Sequence, residues 1–192
     1  VAMGLPAIAD PATGNPDWQV FAGSAAVSLF VGVSLMLTTR STSMTNLNLR
    51  QAFLLTTMSW VAVAAVGALP FAFSELELSV ADAFFESMSG ITTTGATVIT
   101  DLEFQSKGIL IWRALLQWLG GIGIVVMAVA VLPMLQVGGM QLFRLDSSDN
   151  AEKILPRAIQ IAGSLIIIYL IITVLCALSY NIGGMGLFDS VA

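Results

Sequence analysis

Histidine is absent from this 192-residue sequence, and cysteine occurs once, as Cys176. An imidazole metal site, a Ser-His-Asp triad, a Cys-His pair and a disulfide within the chain are therefore all excluded. Charge is scarce too: Lys, Arg, Asp and Glu make up 10% of the residues, against about 25% in soluble domains. The net charge of −5 suits no nucleic-acid partner. A cationic start and an initiator Met are both missing, so the N-terminus reads as a cut end rather than a signal peptide.

Apolar residues are plentiful, at 57% of the chain with a mean hydropathy of +0.91. Four runs, residues 18–38, 51–73, 107–135 and 157–181, are each long enough to cross a hydrocarbon core about 30 Å thick. Lipid offers no partner for backbone polar groups, so these spans are expected to be helices. Pro6, Pro11 and Pro16 make the first twenty residues read as a loop, with room for the tail of an earlier span over residues 1–8. Pro133 and Pro156 read as helix ends, and Cys176, within LIITVLCALSY, as a small buried hydrophobe.

Basic residues set the orientation. Arg40 and Arg50 lie between the first two runs, and Arg144, Lys153 and Arg157 between the last two, so both linkers are expected on the cytoplasmic side. Residues 74–106 then face outward, carrying Glu75, Glu77, Asp82, Glu86, Asp101 and Glu103 without a Lys or Arg. That acid excess would concentrate cations at the outer face, although charge sorting by the positive-inside rule accounts for much of it.

Within that outer segment stands SVADAFFESMSGITTTGATVITD. Residues 81–91 look helical, with Phe84, Phe85 and Met88 on one face, and Ser79 with Asp82 resembles a capping box. A helix of about twelve residues is about 18 Å long, roughly half a bilayer core. Entering from outside, it would aim its partly negative C-terminus at the midplane. The following TTTGATV must then return as extended backbone, which lipid tolerates only where it is enclosed or lines a watery cavity. Its carbonyls could replace a cation's water shell, and Gly95 permits a positive φ that would align them. A plain Thr-rich surface loop remains the alternative on these residues alone.

The runs ADAFFESMSGITTTGATVI, WRALLQWLGGIGIVVMAVAVLPML and VGGMQLFR closely resemble the Trk-type potassium uptake family, within the wider Trk/Ktr/HKT superfamily. The resemblance extends from about Pro6 to Ala192. It implies an all-α membrane protein of potassium-channel type: outer helix, re-entrant pore helix, filter loop and inner helix, with flanking transmembrane helices. It further implies four such repeats around one pathway, a bacterial inner membrane, a homodimer, and a cytosolic nucleotide-binding regulatory subunit of TrkA type. Potassium would be the ion carried, passively or with coupled cations, and no organic cofactor is implied.

Carried onto this sequence, the resemblance gives residues 1–50 as a leading loop and transmembrane helix. Residues 51–136 become the first pore repeat, 137–156 a cytoplasmic linker, and 157–192 the start of a second repeat. Thr93, Thr94 and Gly95 match the filter, with Thr92 and Ala96 flanking it and potassium at Thr93 and Thr94. Asp189 stands where Asp82 stands in the first repeat. The later filters are absent, so the chain is expected to be an incomplete fragment that does not transport alone.

Several residues fall outside the filter. Gly120, Gly121 and Gly123 suit close helix packing, with a flexible bend as the other reading. Trp112 and Trp118 suit packing or the outer interface. Arg113 is a cation at membrane depth, where such groups are usually paired, and Glu86 or Glu103 are its candidate partners. Two rival functions are a membrane enzyme, which would need titratable groups converging at depth, and a non-transporting scaffold, which would have no need of Gly95.

Overall fold

The computed structural model describes residues 2–9, 18–40, 49–131 and 151–191. Their regular structure is helical, without a strand among the described residues. The order is α1 (Gly4–Ala9), α2 (Trp18–Thr39), α3 (Leu49–Gly67), α4 (Leu69–Phe73), α5 (Val80–Ile91), a 3-10 turn (Leu102–Phe104), α6 (Lys107–Val131), α7 (Ala151–Ile182) and α8 (Leu187–Val191). Four segments are long and apolar enough to cross a membrane: Trp18–Thr39, Phe53–Phe73, Lys107–Val125 and Gly163–Ile182. This is an all-α, multi-pass membrane architecture. The expected linker over residues 137–150 lies outside the described residues, as do Asp10, Pro11, Pro16, Asp17, Pro133, Arg144, Asp146 and Asp149.

The chain divides into two compact units, Val1–Gly120 and Gly121–Ala192. In the first, Phe21, Ala64, Phe71, Ala83, Trp112 and Leu116 share one buried cluster. Ala64, Ala68 and Ala83 let the helices approach closely, which in lipid holds helices together where water exclusion cannot. Trp112 anchors the cluster. Its indole N–H donates to the Gly67 carbonyl at 3.0 Å, and its ring meets Phe21 edge-on at 6.4 Å. In the second unit, Gly121 of α6 lies against Tyr169 of α7, where an added Cβ would come within 2.5 Å of the phenol oxygen.

Several expectations need correction. Pro6 does not prevent a helix: α1 forms around it, with the proline in the first turn where no intrahelical amide is needed. The second run stands as one span, Phe53–Phe73, divided at Ala68 into α3 and α4 with Pro70 at the start of α4. Pro156 does not end a helix, because α7 begins five residues earlier, at Ala151, and absorbs it within its first two turns. Cys176 is exposed rather than buried, since no residue of the Gly163–Ile182 span is buried within the chain. Apolar helix surface left open in this way carries no penalty against lipid.

Candidate functional site

The loop after α5 depends first on where α5 ends. Ser79 caps the helix: its hydroxyl accepts from the Asp82 amide at 3.1 Å and donates to the Asp82 carboxylate at 2.6 Å. The buried face is the small and polar one, which includes Ala83, Glu86, Ser87 and Gly90, and it is not the face of Phe84, Phe85 and Met88. Of these three, Phe85 is exposed and the other two are only partly buried. The reason is contact distance. A Cβ on Gly90 would touch Leu116 at 3.0 Å, and one on Gly67 would come within 2.5 Å of the Ser87 hydroxyl.

At the far end of α5 the approach is closest. A Cβ on Gly120 would fall 2.0 Å from the Ile91 carbonyl oxygen, so only glycine fits there. Helix α6 thus serves as a ruler. Thirteen residues separate Lys107 from Gly120, about 20 Å along a helix about 37 Å long. The end of α5 therefore sits beside the middle of a helix long enough to span a membrane.

From that end the chain turns. The Thr92 amide bonds the Met88 carbonyl at 2.9 Å and the Thr93 amide bonds Gly90 at 2.9 Å. The amides of Thr94 and Gly95 both reach the Ser89 carbonyl, at 3.0 and 3.3 Å. These donors are all directed back into the helix. Among the described residues no donor reaches the carbonyl oxygens of Thr92, Thr93, Thr94 or Gly95. Two residues of this stretch have positive φ, Gly95 at 76° and Thr93 at 58°. Gly95 was legible from its lack of a side chain, whereas Thr93 was not, since a β-branched residue rarely adopts that region. The Thr92 and Thr94 hydroxyls lie 2.9 Å apart.

The outgoing stretch, residues 94–99, has no regular structure and is tied to α5 by side chains. Ser89 donates its hydroxyl to the Ala96 carbonyl at 2.6 Å. Glu86 accepts at Oε2 from the Thr97 hydroxyl and from the Val98 amide, each at 3.0 Å. Its Oε1 accepts from Arg113 Nε at 2.5 Å. Glu86 is the partner of Arg113; Glu103 lies exposed in the 3-10 turn. The roles of Ser89 and Thr97 were missed in the sequence. Their one visible signal is that Glu86 and Ser89 are polar residues one turn apart in the second half of a short helix at membrane depth.

Thr93, Thr94, Gly95 and Ala96 are therefore consecutive exposed residues on a turn held at both ends, with Thr92 half-buried at its start. Chemically, the main-chain oxygens of Thr93, Thr94 and Gly95, at the negative end of a helix, suit a cation, whereas the Ala96 oxygen is already taken by the Ser89 hydroxyl. In the second unit, α8 begins after Gly186, whose carbonyl accepts from the Ser190 amide at 2.9 Å. Asp189 lies in its first turn, as Asp82 does in α5.

A family model described as TrkH, cation transport protein, matches residues 17–185. The chain is 40% identical over 191 residues to the Trk system potassium uptake protein TrkI of Halomonas elongata, covering 100% of this chain and 39% of that protein. It is 48% identical over 147 residues to the Trk system potassium uptake protein TrkH of Escherichia coli, covering 74% and 30%. The crystal structure of the potassium transporter TrkH from Vibrio parahaemolyticus superposes with a TM-score of 0.82 at 35% identity, over 98% of this chain and 37% of that one. The chain thus spans well under half the length of the relatives it matches.

Proposed function

The chain belongs to the TrkH family of cation transport proteins, and from that premise we propose that it supplies one of four filter segments in a potassium uptake pathway. The carbonyls of Thr93, Thr94 and Gly95, flanked by Thr92 and Ala96, take the place of the water that potassium sheds. The remaining filter segments belong to the rest of the transporter, which works as a homodimer on a cytosolic nucleotide-binding subunit of TrkA type. No covalent step is involved. Potassium is cargo, moved through the site rather than retained in it.

One observation carries this reading: the amides of Thr93, Thr94 and Gly95 are consumed by α5, while among the described residues no donor reaches the carbonyls of these three. Oxygens left bare at membrane depth are costly unless a cation or water satisfies them. The half-length α5 adds its C-terminal partial negative charge in the same direction. The named activities of the relatives, potassium uptake and potassium transport, agree with this chemistry.

The test is Gly95→Ser in the complete transporter. Gly95 has φ of 76°, where a Cβ is strained and would turn neighbouring peptides. The potassium-to-sodium uptake ratio is expected to fall, with the protein still reaching the membrane. A ratio equal to wild type would count heavily against a carbonyl filter at this position and in favour of a scaffold.

A further inference from the structure

The pairing of Arg113 with Glu86 has an ordinary structural use, which is to hold α5 against α6. The Glu86 carboxylate does more than that use requires. Its side chain is fully buried, and it bonds Arg113 through one oxygen only. The second oxygen reaches eleven and twelve residues ahead, to the Thr97 hydroxyl and the Val98 amide. Thr97 in turn accepts from the Ile99 amide at 3.1 Å, so its hydroxyl both donates and accepts. A relay thus runs from the Ile99 amide through Thr97 to Glu86, with Val98 joining directly. Three consecutive residues of the outgoing backbone are fixed by one carboxylate.

We propose that Glu86 is a positioning residue for ion selection: with Thr97 it sets the peptide planes that follow Gly95, and Arg113 neutralises it so that it does not bind the ion itself. The proposal rests on the filter reading above. Ser89 holds the turn at Gly95 and Ala96, its carbonyl accepting from the Thr94 and Gly95 amides and its hydroxyl donating to the Ala96 carbonyl, and Glu86, one helical turn away, holds the next two residues on the outgoing side. A loop bracketed in this way keeps its oxygens aimed without a side chain of its own in the pathway. Loosening the outgoing anchor lets the oxygens follow a smaller or larger ion, which is loss of selectivity rather than loss of flux. A bare ion pair between helices would have no such effect.

The experiment compares Thr97→Val, Thr97→Ser and Glu86→Gln in the complete transporter, measuring potassium and sodium uptake and the amount of protein in the membrane. Thr97→Val is nearly isosteric and leaves the Arg113–Glu86 pair intact. It is expected to lower the potassium-to-sodium ratio about tenfold, the scale set by losing one hydrogen bond to a charged acceptor. Thr97→Ser keeps the hydroxyl and restores the ratio. Glu86→Gln lowers it as well, because one amide cannot accept from both Arg113 and the Val98 amide. If Thr97→Val transports with the wild-type ratio, or merely lowers membrane content at an unchanged ratio, Glu86 is only a clamp between helices and the proposal is overturned. If the unaltered transporter itself shows no preference for potassium, the filter reading fails first and takes this one with it.

Discussion

Thr93 holds a φ of 58°, a region that a β-branched residue enters at a cost of about 1–3 kcal/mol. It stays there because three successive amides, those of Thr93, Thr94 and Gly95, are drawn onto the last turn of α5. The turn is therefore held by its donors, and strain concentrates where its acceptors are unbonded. Gly120 shows the opposite relation between residue and space: it is required for room and not for φ. Gly120→Ala is expected to destabilise the protein by about 1–3 kcal/mol, as overpacking does, because the new methyl meets backbone that cannot rotate away. Thermal unfolding in detergent measures it. Gly32→Ala, where nothing lies within 4 Å, should leave the midpoint where it was or raise it slightly.

Among the elements, α5 is the one whose existence matters most, and its start is a local device. Ser79→Ala removes the hydroxyl that receives the Asp82 amide and is expected to cost about 1 kcal/mol. The measurement is again the unfolding midpoint, with a Ser79→Thr control that keeps the cap. This device was legible in the sequence, as were α2 and α6, because capping and hydropathy are properties of neighbouring residues. Helix contacts were less legible. The sequence placed Phe84, Phe85 and Met88 on one face without saying which face packs, and it is Ala83, Ser87 and Gly90 that are buried, since the closest helix approach selects what is small. Pro156 was read as a helix end, yet it is tolerated early in a long helix, which depends on which carbonyls lose partners rather than on proline itself. The Arg113 partner needed three-dimensional placement, because Glu86 and Glu103 are equally plausible along the chain.

At the scale of the whole molecule, the proposed role requires more than this chain. One filter segment offers oxygens from one side, and a dehydrated cation must be surrounded. The 192-residue chain reconstituted alone into potassium-loaded liposomes is expected to show no flux above that of empty vesicles. Flux from the isolated chain would mean either that copies assemble into a ring or that the pathway lies elsewhere. The two described units each contain a short helix with an aspartate in its first turn, Asp82 in α5 and Asp189 in α8.

The contact between Gly120 and the Ile91 carbonyl has a mechanical consequence. No side chain cushions it, so the last peptide of the short helix rests on the long one as on a fulcrum. Under the filter reading proposed above, a tilt of the long helix at this point would reach the oxygens of the turn with no side chain between to absorb it.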